Sequence, residues 1–277
     1  MSIAQTLLSA GRVLQKDTMA IGDAELLLAH CIGKDIEFIH SHPEYNIRQD
    51  QKLRFNQLLT KRIAGHSIAV LVGYKFFYNL KFTVTEATLI PRPDSELLVD
   101  KALEYLSERQ KAKIIDVGTG CGNLIIATAK NIQQSTRCTY FAVDISPEAL
   151  RIARENAKQH EVKIHFLHSN IFSNIGRRKF NVIIANLPYL NVEQLHEPSI
   201  HREPIGALWG GSHGTDLYAE LFKQLPHFLA RTYLVLIEID PQQKNELIRL
   251  ASEALPSSYA TVYKDLSGND RVLSITN

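Results

Sequence analysis

A glycine-rich segment is the first part of this 277-residue chain whose residue types point to chemistry. The segment DVGTGCGN, residues 116–123, follows an apolar run and precedes a helical pattern, with glycines at 118, 120 and 122. Glycine permits a tight turn and a close approach of the backbone to a ligand, so this strand–loop–helix pattern predicts a binding loop. The next predicted strand ends at Asp144, where such folds place an acidic side chain that accepts hydrogen bonds from ribose hydroxyl groups. We therefore expect a ligand that carries a ribose.

The spacing of the glycines separates two classes of cofactor. A dinucleotide-binding loop has the pattern G-x-G-x-x-G, whereas this loop has G-x-G-x-G, with Asn123 where the dinucleotide pattern has its third glycine. The spacing resembles motif I of the Rossmann-like S-adenosylmethionine-dependent methyltransferases. The resemblance implies that S-adenosyl-L-methionine is the cofactor and that Asp144 binds its ribose. It also implies cofactor contacts along the loop, from Gly118, Thr119, Gly120, Cys121 and Gly122.

A second segment, NLPY at residues 186–189, directly follows the apolar run FNVIIA. It resembles the N-P-P-Y signature of methyltransferases that act on planar amide or exocyclic amine nitrogens. An amide nitrogen is a poor nucleophile because its lone pair is delocalised, so two acceptors must hold its N–H groups and turn the lone pair toward the methyl donor. The side-chain oxygen of Asn186 and the main-chain carbonyl of Leu187 are the expected acceptors. Pro188 restricts the backbone there, and Tyr189 offers a flat wall, so these four residues form the predicted catalytic group.

The elements that must position these residues alternate between strands and helices after Lys113. Apolar runs that predict strands are KIIDVG, TYFAVDI, VKIHFLHS, FNVIIA and TYLVLIEI, and helical patterns such as SPEALRIARENAKQH lie between them. This alternation predicts an α/β fold with a mainly parallel sheet and helices on both faces. The tail ATVYKDLSGNDRVLSITN predicts two strands about a turn, which add an antiparallel edge. Together with motif I, the pattern implies a Rossmann-like class I methyltransferase domain.

The first part of the chain has a different pattern. Apolar residues at helical spacing predict a small helical domain over residues 1–72, and β-branched and aromatic residues predict a linking hairpin over 73–90. The methyltransferase domain then extends over 91–277. Either Asp94 or Ser95 can cap its first helix.

Further segments indicate which substrate is methylated. TLIPRPDSELLV, residues 88–99, resembles the L-I-P-R-P-D-T-E signature of the HemK/PrmC-type release factor glutamine methyltransferases. GDAELLLAHCIG near the start of the chain, and EPIGALWGGSHGTDLY, LVLIEIDPQQ and YKDLSGNDRVL later, resemble other blocks of that family in the same order. The resemblance implies methyl transfer to the glutamine side-chain amide in the Gly-Gly-Gln motif of peptide chain release factors. It also implies that the helical domain recognises the release factor.

The chain departs from the family pattern at several positions. Leu187 replaces the usual proline, which keeps the carbonyl but loosens the backbone, and Ser95 replaces threonine. Asn170 and Ile171 stand where the family often has Asp-Trp beside the adenine, so adenine contacts are expected to be weaker or rearranged. Asn186 is expected to contact the cofactor as well as the substrate.

Composition bears on the partners. The formal net charge of +2 does not favour direct binding of nucleic acid. The first residues lack the pattern of a secretory signal, and no apolar run is long enough to span a membrane. Three widely spaced cysteines, Cys31, Cys121 and Cys138, fit a reducing compartment. We expect a cytoplasmic monomer with release factors as its partners.

Two other functions remain open at this level. An N6-adenine methyltransferase acting on RNA or DNA carries similar motifs, but it should also have a basic face and further stacking aromatic side chains. A diverged binding module without activity is the other alternative, raised by Leu187 and Ile171.

A few polar residues near the motifs allow more than one interpretation. His196, His201 and His213 are irregularly spaced, so no metal site is predicted. Arg92 either contacts the substrate or another domain, or forms a structural salt bridge. Glu238, at the end of a predicted strand, is interpreted as structural.

Overall fold

The computed structural model describes residues 1–14, 21–133, 136–196 and 203–277. Its helices are α1 (Ile3–Leu14), α2 (Ile21–Ile32), α3 (Ile36–Ser41), α4 (Gln49–Ile63), α5 (Ile68–Val72), α6 (Glu96–Ser107), α7 (Asn123–Asn131), α8 (Pro147–Gln159), α9 (Asp216–Gln224) and α10 (Lys244–Ala254). Its strands are β1 (Tyr74–Phe77), β2 (Leu80–Thr83), β3 (Lys111–Val117), β4 (Arg137–Asp144), β5 (Ile164–His168), β6 (Phe180–Ala185), β7 (Leu229–Glu238), β8 (Tyr259–Lys264) and β9 (Asp270–Thr276). The chain divides into two compact units, one of which begins at Met1 and runs to Tyr74, while the other contains the described residues of the catalytic motifs.

The first unit is helical and has a core of its own. The apolar faces of α1, α2 and α4 bury Leu27, Leu28 and Phe55, among others. Helix α2 ends before Gly33, whose φ of 70° suits the left-handed conformation that commonly closes a helix. The N-terminus of α3 is capped by Asp35, whose side chain accepts a hydrogen bond of 2.8 Å from the amide of Phe38.

A hairpin of β1 and β2 follows the helices. Tyr78 and Asn79 join the strands with φ values of 50° and 59°, which is the two-residue turn that suits the twist of a hairpin. The buried side chain of Asn156 binds the main chain of Thr83 in both directions, at 2.8 and 3.0 Å, and also donates to the Cys121 carbonyl at 2.9 Å. One amide thus links the hairpin to the glycine loop.

A seven-stranded sheet forms the centre of the second unit. Its strand order is β5-β4-β3-β6-β7-β9-β8, in which β5, β4, β3, β6 and β7 run parallel and β9 is antiparallel to both β7 and β8. Along β6, Ile183 belongs to one apolar cluster while Val182 and Ile184 belong to another. Because neighbouring residues of a strand face opposite sides of a sheet, both faces are covered. The predicted mainly parallel α/β fold with an antiparallel edge is confirmed.

The sheet order brings the predicted site residues together at the carboxyl ends of the parallel strands. Strand β3 lies between β4 and β6, and the chain after β3 enters the glycine loop. In open sheets of this kind, ligands bind outside the carboxyl ends of the strands where the order of connection reverses. The ends of β3, β4, β6 and β7 therefore define where a site must lie.

Ser95 occupies the predicted N-cap position of α6 but does not cap the helix through its side chain. A short 3₁₀ turn, Pro93–Ser95, leads into the helix, and Ser95 at the N-cap position makes no side-chain hydrogen bond to the helix. Its hydroxyl group instead donates a hydrogen bond of 2.5 Å to the carboxylate of Glu238. The hydroxyl oxygen also accepts from Nδ2 of Asn186 at 3.1 Å, so this side chain binds groups of the site and not the free N–H groups of the helix start.

Candidate active site

A cavity of about 450 Å³ lies at the carboxyl ends of the central strands. That volume suits a small-molecule ligand of cofactor size. Predicted residues that line it are Gly118, Thr119, Asp144, Asn170, Ile171, Asn186, Leu187 and Pro188. The lining does not include the predicted residues Gly120, Cys121, Gly122 and Tyr189. The structure thus brings both motifs to one cavity, although some residues of each motif do not line it.

Gly118 brings the glycine loop and the NLPY segment into direct contact. Its φ is 73°, and a Cβ atom at this position would lie 2.8 Å from Cδ2 of Leu187. A larger residue would therefore be strained and would also push the two segments apart. Behind the loop, Cys121 is buried, and burial raises the pKa of its thiol to about 12. It is a packing residue, and any contact it makes with a cofactor must come from its backbone.

Asp144 holds the loop from the end of β4. One carboxylate oxygen accepts the amide of Gly120 and the other accepts the amide of Ser146, both at 2.8 Å. Burial raises the pKa of this carboxyl group above its ordinary value. A carboxylate has about four acceptor positions, so capacity remains for hydroxyl groups of a ligand in the cavity.

Asp116, at the entrance to the loop, is fully buried at the end of β3. Its Oδ2 accepts a hydrogen bond of 2.6 Å from the Thr119 hydroxyl, and its Oδ1 has no partner in the described part of the chain. Burial raises its pKa to about 7, and the charge of Asp144 acts in the same direction. In an unfolded chain an aspartate ionises near pH 4, at about 3.9.

Replacing Asp116 with asparagine is expected to change how stability depends on pH. Between about pH 4 and pH 7 the folded state holds a proton that the unfolded state has lost, so this carboxyl group stabilises the fold at low pH. That contribution disappears as the pH rises through 7, whereas asparagine cannot ionise. Urea unfolding at several pH values should show the variant gaining stability relative to wild type as the pH rises from 5 to 8. Glu108→Gln, at an exposed position, serves as the control. If the stability of Asp116→Asn changed with pH in parallel with that of wild type, the raised pKa of Asp116 would be contradicted.

The backbone at Ile171 is strained. Its φ of 50° lies in the left-handed region, which a β-branched residue rarely occupies. The Ser169 hydroxyl donates to the Ile171 carbonyl at 3.0 Å and accepts the amide of Asn174 at 3.1 Å, which holds the turn. Strain of this kind costs on the order of 1–3 kcal/mol and is common beside ligand sites. Asn170 and Ile171 line the cavity through this fixed turn.

Asn186, at the end of β6, is held in one orientation. Its Nδ2 donates to Oε2 of Glu238 at 2.8 Å and to Oγ of Ser95 at 3.1 Å. Its Oδ1 is buried and has no hydrogen-bond partner among the residues that the structure describes. A buried acceptor without a partner is costly, so this oxygen beside the cavity is suited to receive an N–H group from a ligand.

Leu187 is anchored in a way that proline would not allow. Its amide donates to the Tyr218 hydroxyl at 3.1 Å, and that hydroxyl donates to the Glu238 carbonyl at 2.6 Å. Proline has no N–H to take part in this chain of bonds. The loss of proline stiffness at this position is therefore offset by a hydrogen bond from the leucine backbone.

Tyr218→Phe is expected to lower the free energy of unfolding by about 1–3 kcal/mol. The change removes one oxygen and leaves two buried backbone groups, the amide of Leu187 and the carbonyl of Glu238, without their partner. Urea unfolding at neutral pH measures the effect. Tyr259→Phe is the matched control, because Tyr259 is 75% exposed. Equal stabilities of the two variants would show that the hydroxyl does not anchor the segment.

Two glycines and a glutamine support the next peptide units. A Cβ atom at Gly210 would lie 2.5 Å from the Pro188 carbonyl oxygen, and one at Gly214 would lie 2.4 Å from the carbonyl oxygen of Tyr189. The Tyr189 carbonyl accepts a hydrogen bond of 2.7 Å from Nε2 of Gln243. Tyr189 also donates from its hydroxyl toward Glu238, at 3.4 Å. The segment is packed too closely to move independently.

Arg92 and His213 have the following positions in the structure. Arg92 forms an ion pair with Glu203, whose carboxylate also accepts the amide of Ile90, so the structural salt bridge is present. Arg92 also lines the cavity. His201 lies outside the described residues, and Nδ1 of the exposed His213 lies 3.6 Å from Asp216.

Sequence reasoning missed the supporting roles of Ser95, Tyr218, Glu238 and Gln243. Glu238 offered a signal, because a carboxylate at the end of the apolar run LVLIE must find buried donors. The cluster WGGSHG offered another, because closely spaced glycines indicate a close approach of backbones. Nothing in the sequence around Tyr218 distinguishes it from an ordinary apolar helix residue.

Comparison with known proteins identifies the family. The PrmC N-terminal domain model matches residues 5–73, and the methyltransferase small domain model matches residues 94–203. The release factor glutamine methyltransferase of Escherichia coli (strain K12) is 34% identical over 253 residues, which cover 90% of this chain and 90% of that protein. The chain belongs to the release factor glutamine methyltransferase family. A relative with that name from Bacillus cereus is 29% identical and covers 99% of this chain and 98% of its own.

Solved structures share the fold of this family member at lower identity. A methyltransferase from Pyrococcus furiosus gives a TM-score of 0.55 at 17% identity, over 80% of this chain and 98% of that one. A 16S rRNA N2 G1207 methyltransferase from T. thermophilus, in complex with S-adenosylmethionine and guanosine, gives 0.52 at 17% identity, over 74% of this chain and 49% of that one. At such identities the likeness establishes the fold alone.

The comparisons confirm the predicted family, the class I methyltransferase fold and a methyltransferase enzyme. The roles assigned to individual residues, and the functions of the segments 1–72, 73–90 and 91–277, stay predictions. None of the helices that the structure describes is both long enough and apolar enough to cross a membrane.

Proposed function

We propose that this protein transfers a methyl group from S-adenosylmethionine to the side-chain amide nitrogen, N5, of the glutamine in the Gly-Gly-Gln motif of peptide chain release factors. The observation that carries the proposal is the buried Oδ1 of Asn186, which has no partner among the described residues, on a residue that lines the same cavity as Gly118 and Thr119 of the glycine loop. An acceptor in this position meets the need of a primary amide, which has two N–H groups and no free lone pair. The names of the relatives agree with this substrate.

The cavity fits the cofactor. It has the volume for a molecule of this size, a glycine loop and an acidic side chain with acceptor capacity to spare. Asp144 would hold the ribose, and the turn at Asn170 and Ile171 would lie beside the base. When bound, S-adenosylmethionine supplies an electrophilic methyl group on a positively charged sulfur.

The chain contributes orientation and electrostatic stabilisation. Oδ1 of Asn186 and the carbonyl oxygen of Leu187 each accept one N–H of the substrate amide, which turns the nitrogen lone pair toward the methyl group. The Tyr218 hydroxyl has a single proton, and the Glu238 carbonyl at 2.6 Å is a nearer acceptor than the Leu187 carbonyl at 3.5 Å. The Leu187 oxygen therefore keeps its acceptor capacity for the substrate. Alignment of this kind lowers a barrier by roughly 7–11 kcal/mol at best.

A dedicated general base is not needed in this mechanism. Alkylation makes the amide nitrogen strongly acidic, so a proton that already points at Oδ1 of Asn186 or at the Leu187 carbonyl is lost without further activation. The two acceptors thus hold the protons before the reaction and guide one of them away after it. The rigid packing around Tyr189 keeps both acceptors at fixed positions.

Further assignments belong to the same proposal. The helical unit, whose sequence matches the PrmC N-terminal domain, would recognise the release factor. A monomer that acts in the cytoplasm without binding nucleic acid directly is consistent with such a substrate. Methylation of adenine in RNA or DNA is not favoured, because the relatives carry the name of glutamine methyltransferases.

The test is incubation of the purified protein with S-adenosylmethionine and a recombinant release factor, followed by mass spectrometry of the peptide that contains Gly-Gly-Gln. One added methyl group on the glutamine is the expected result. A release factor with asparagine in place of that glutamine is the control. Methylated adenine in RNA or DNA, without methyl on the release factor, would replace the substrate assignment. Cofactor binding without any transfer would indicate an inactive binding module.

A further inference from the structure

The carboxylate of Glu238 lies at the centre of a buried polar group. Glu238 is 2% exposed, and its two oxygens face three donors, one from the turn before α6 and two from the NLPY segment. Oε2 accepts the Ser95 hydroxyl at 2.5 Å and Nδ2 of Asn186 at 2.8 Å, while the Tyr189 hydroxyl points at Oε1 from 3.4 Å. A carboxylate can accept hydrogen bonds but cannot donate them while it is ionised.

This arrangement decides which end of the Asn186 side chain faces the cavity. A carboxamide is nearly symmetrical in shape, with an oxygen on one side and an NH₂ group on the other. Beside an acceptor, only the NH₂ side is favourable, because the rotated amide would place its oxygen against the oxygens of Glu238. Oδ1 must then lie on the opposite side, where it has no partner in the described chain.

Ser95 acts in the same direction. A hydroxyl group has one proton, and Ser95 donates it to Glu238. Its lone pair is thereby left to accept from Nδ2 of Asn186, at 3.1 Å. The NH₂ group of the asparagine thus faces two acceptors, and rotation of the amide would break both contacts.

The fold supplies the contact between these residues. Strands β6 and β7 pair in parallel with Ala185 opposite Ile237, so the next residue on each strand, Asn186 and Glu238, lie side by side. Ser95 reaches the pair from the 3₁₀ turn before α6. Tyr218 additionally fixes the backbone carbonyl of Glu238. The carboxylate is thus held against a strand end on one side and a helix start on the other.

We propose that Glu238 and Ser95 are positioning residues, which fix the Asn186 amide with its oxygen toward the substrate. The inference rests on the proposed function, because only an N–H donor substrate needs that oxygen. A substrate amide facing the rotated asparagine would meet N–H against N–H, and its lone pair would not be directed toward the methyl group. Neither positioning residue touches the reacting atoms in this mechanism.

The test uses four single variants in the release factor assay. Glu238→Gln keeps the shape but can donate to the rotated amide, and we expect kcat to fall by about 30–100-fold. Ser95→Ala removes one acceptor, and about a 10-fold fall is expected. Ser95→Thr keeps the hydroxyl and should restore most of the loss. Ser107→Ala, on the exposed C-terminal turn of α6, is the matched control. In all four variants the Kd for S-adenosylmethionine should stay within about 3-fold of wild type.

A double-mutant cycle separates positioning from general support of the fold. In an Asn186→Ala background there is no amide left to orient, so adding Ser95→Ala should lower kcat by less than about 2-fold. A full 10-fold loss in that background would show that Ser95 acts by another route and would overturn the inference. If Glu238→Gln does not fold, as judged by circular dichroism, the serine variants carry the test.

The outcome also distinguishes this inference from the proposed function. An inactive wild-type protein would contradict the proposed function itself. Wild-type activity on the release factor together with unchanged kcat in Ser95→Ala and in Glu238→Gln would contradict only the positioning roles.

Discussion

Replacing Asn186 with alanine is expected to lower kcat for release factor methylation by about 10²–10³-fold, which is the usual loss when one preorganised polar group at a reacting centre is removed. Among the described residues, Asn186 alone both lines the cavity and carries a buried side-chain acceptor without a partner. The cofactor Kd should change by only a few fold, because the glycine loop and Asp144 remain. Single-turnover kinetics at saturating cofactor and isothermal titration calorimetry measure the two quantities.

The matched control is Asn245→Ala on the exposed face of α10, which should leave both quantities unchanged. An equal loss of turnover and cofactor affinity in Asn186→Ala would mean that the residue supports the cofactor or the fold. A variant with normal kcat would remove the basis of the proposed mechanism.

Replacing Asp144 with alanine is expected to raise the Kd for S-adenosylmethionine by about 10–100-fold. Hydrogen bonds to a charged group contribute about 1.5–3 kcal/mol, and the change removes those to the ribose. It also releases the amides of Gly120 and Ser146, which the carboxylate holds at 2.8 Å, so the loop loses its preorganised shape. Titration calorimetry at a temperature well below the unfolding transition measures the affinity.

Asp50→Ala is the control for this variant, since Asp50 is an exposed aspartate whose partner is Arg48 on the surface of the helical unit. Saturating cofactor should recover most of the turnover of Asp144→Ala, because the substrate acceptors are intact. An unchanged Kd would show that Asp144 serves the loop alone and that the ribose is bound elsewhere.

Much of the fold could be predicted because it depends on neighbours in the sequence. The strands and helices after Lys113 follow from local apolar periodicity. The start of α8 also follows from local residue types, because the Ser146 side chain accepts the amide of Ala149 and Pro147 is the first helical residue. The glycine loop and the NLPY segment were also visible, because each combines its chemistry within a few consecutive residues.

The interpretation of Ser95 and Glu238 shows where local reasoning stops. Ser95 is a residue type that commonly caps helices, and it directly precedes a helix. Glu238 is the last residue of a strand. Yet Ser95 lies 91 residues from Asn186, and Glu238 lies 52 residues from it. Their hydrogen bonds depend on which strands are neighbours and in what register they pair.

The sequence by itself determined the class of fold and the family, and it predicted the glycine loop and the NLPY segment as the site, since all of these follow from short-range patterns of residue type. Only the tertiary structure decided which groups hold the Asn186 amide, namely Glu238 and Ser95. The physical reason is that a buried polar atom takes its partner from whatever the packing brings within about 3 Å. That proximity is set by the β6–β7 register and by the turn before α6, and by no pattern of neighbouring residues.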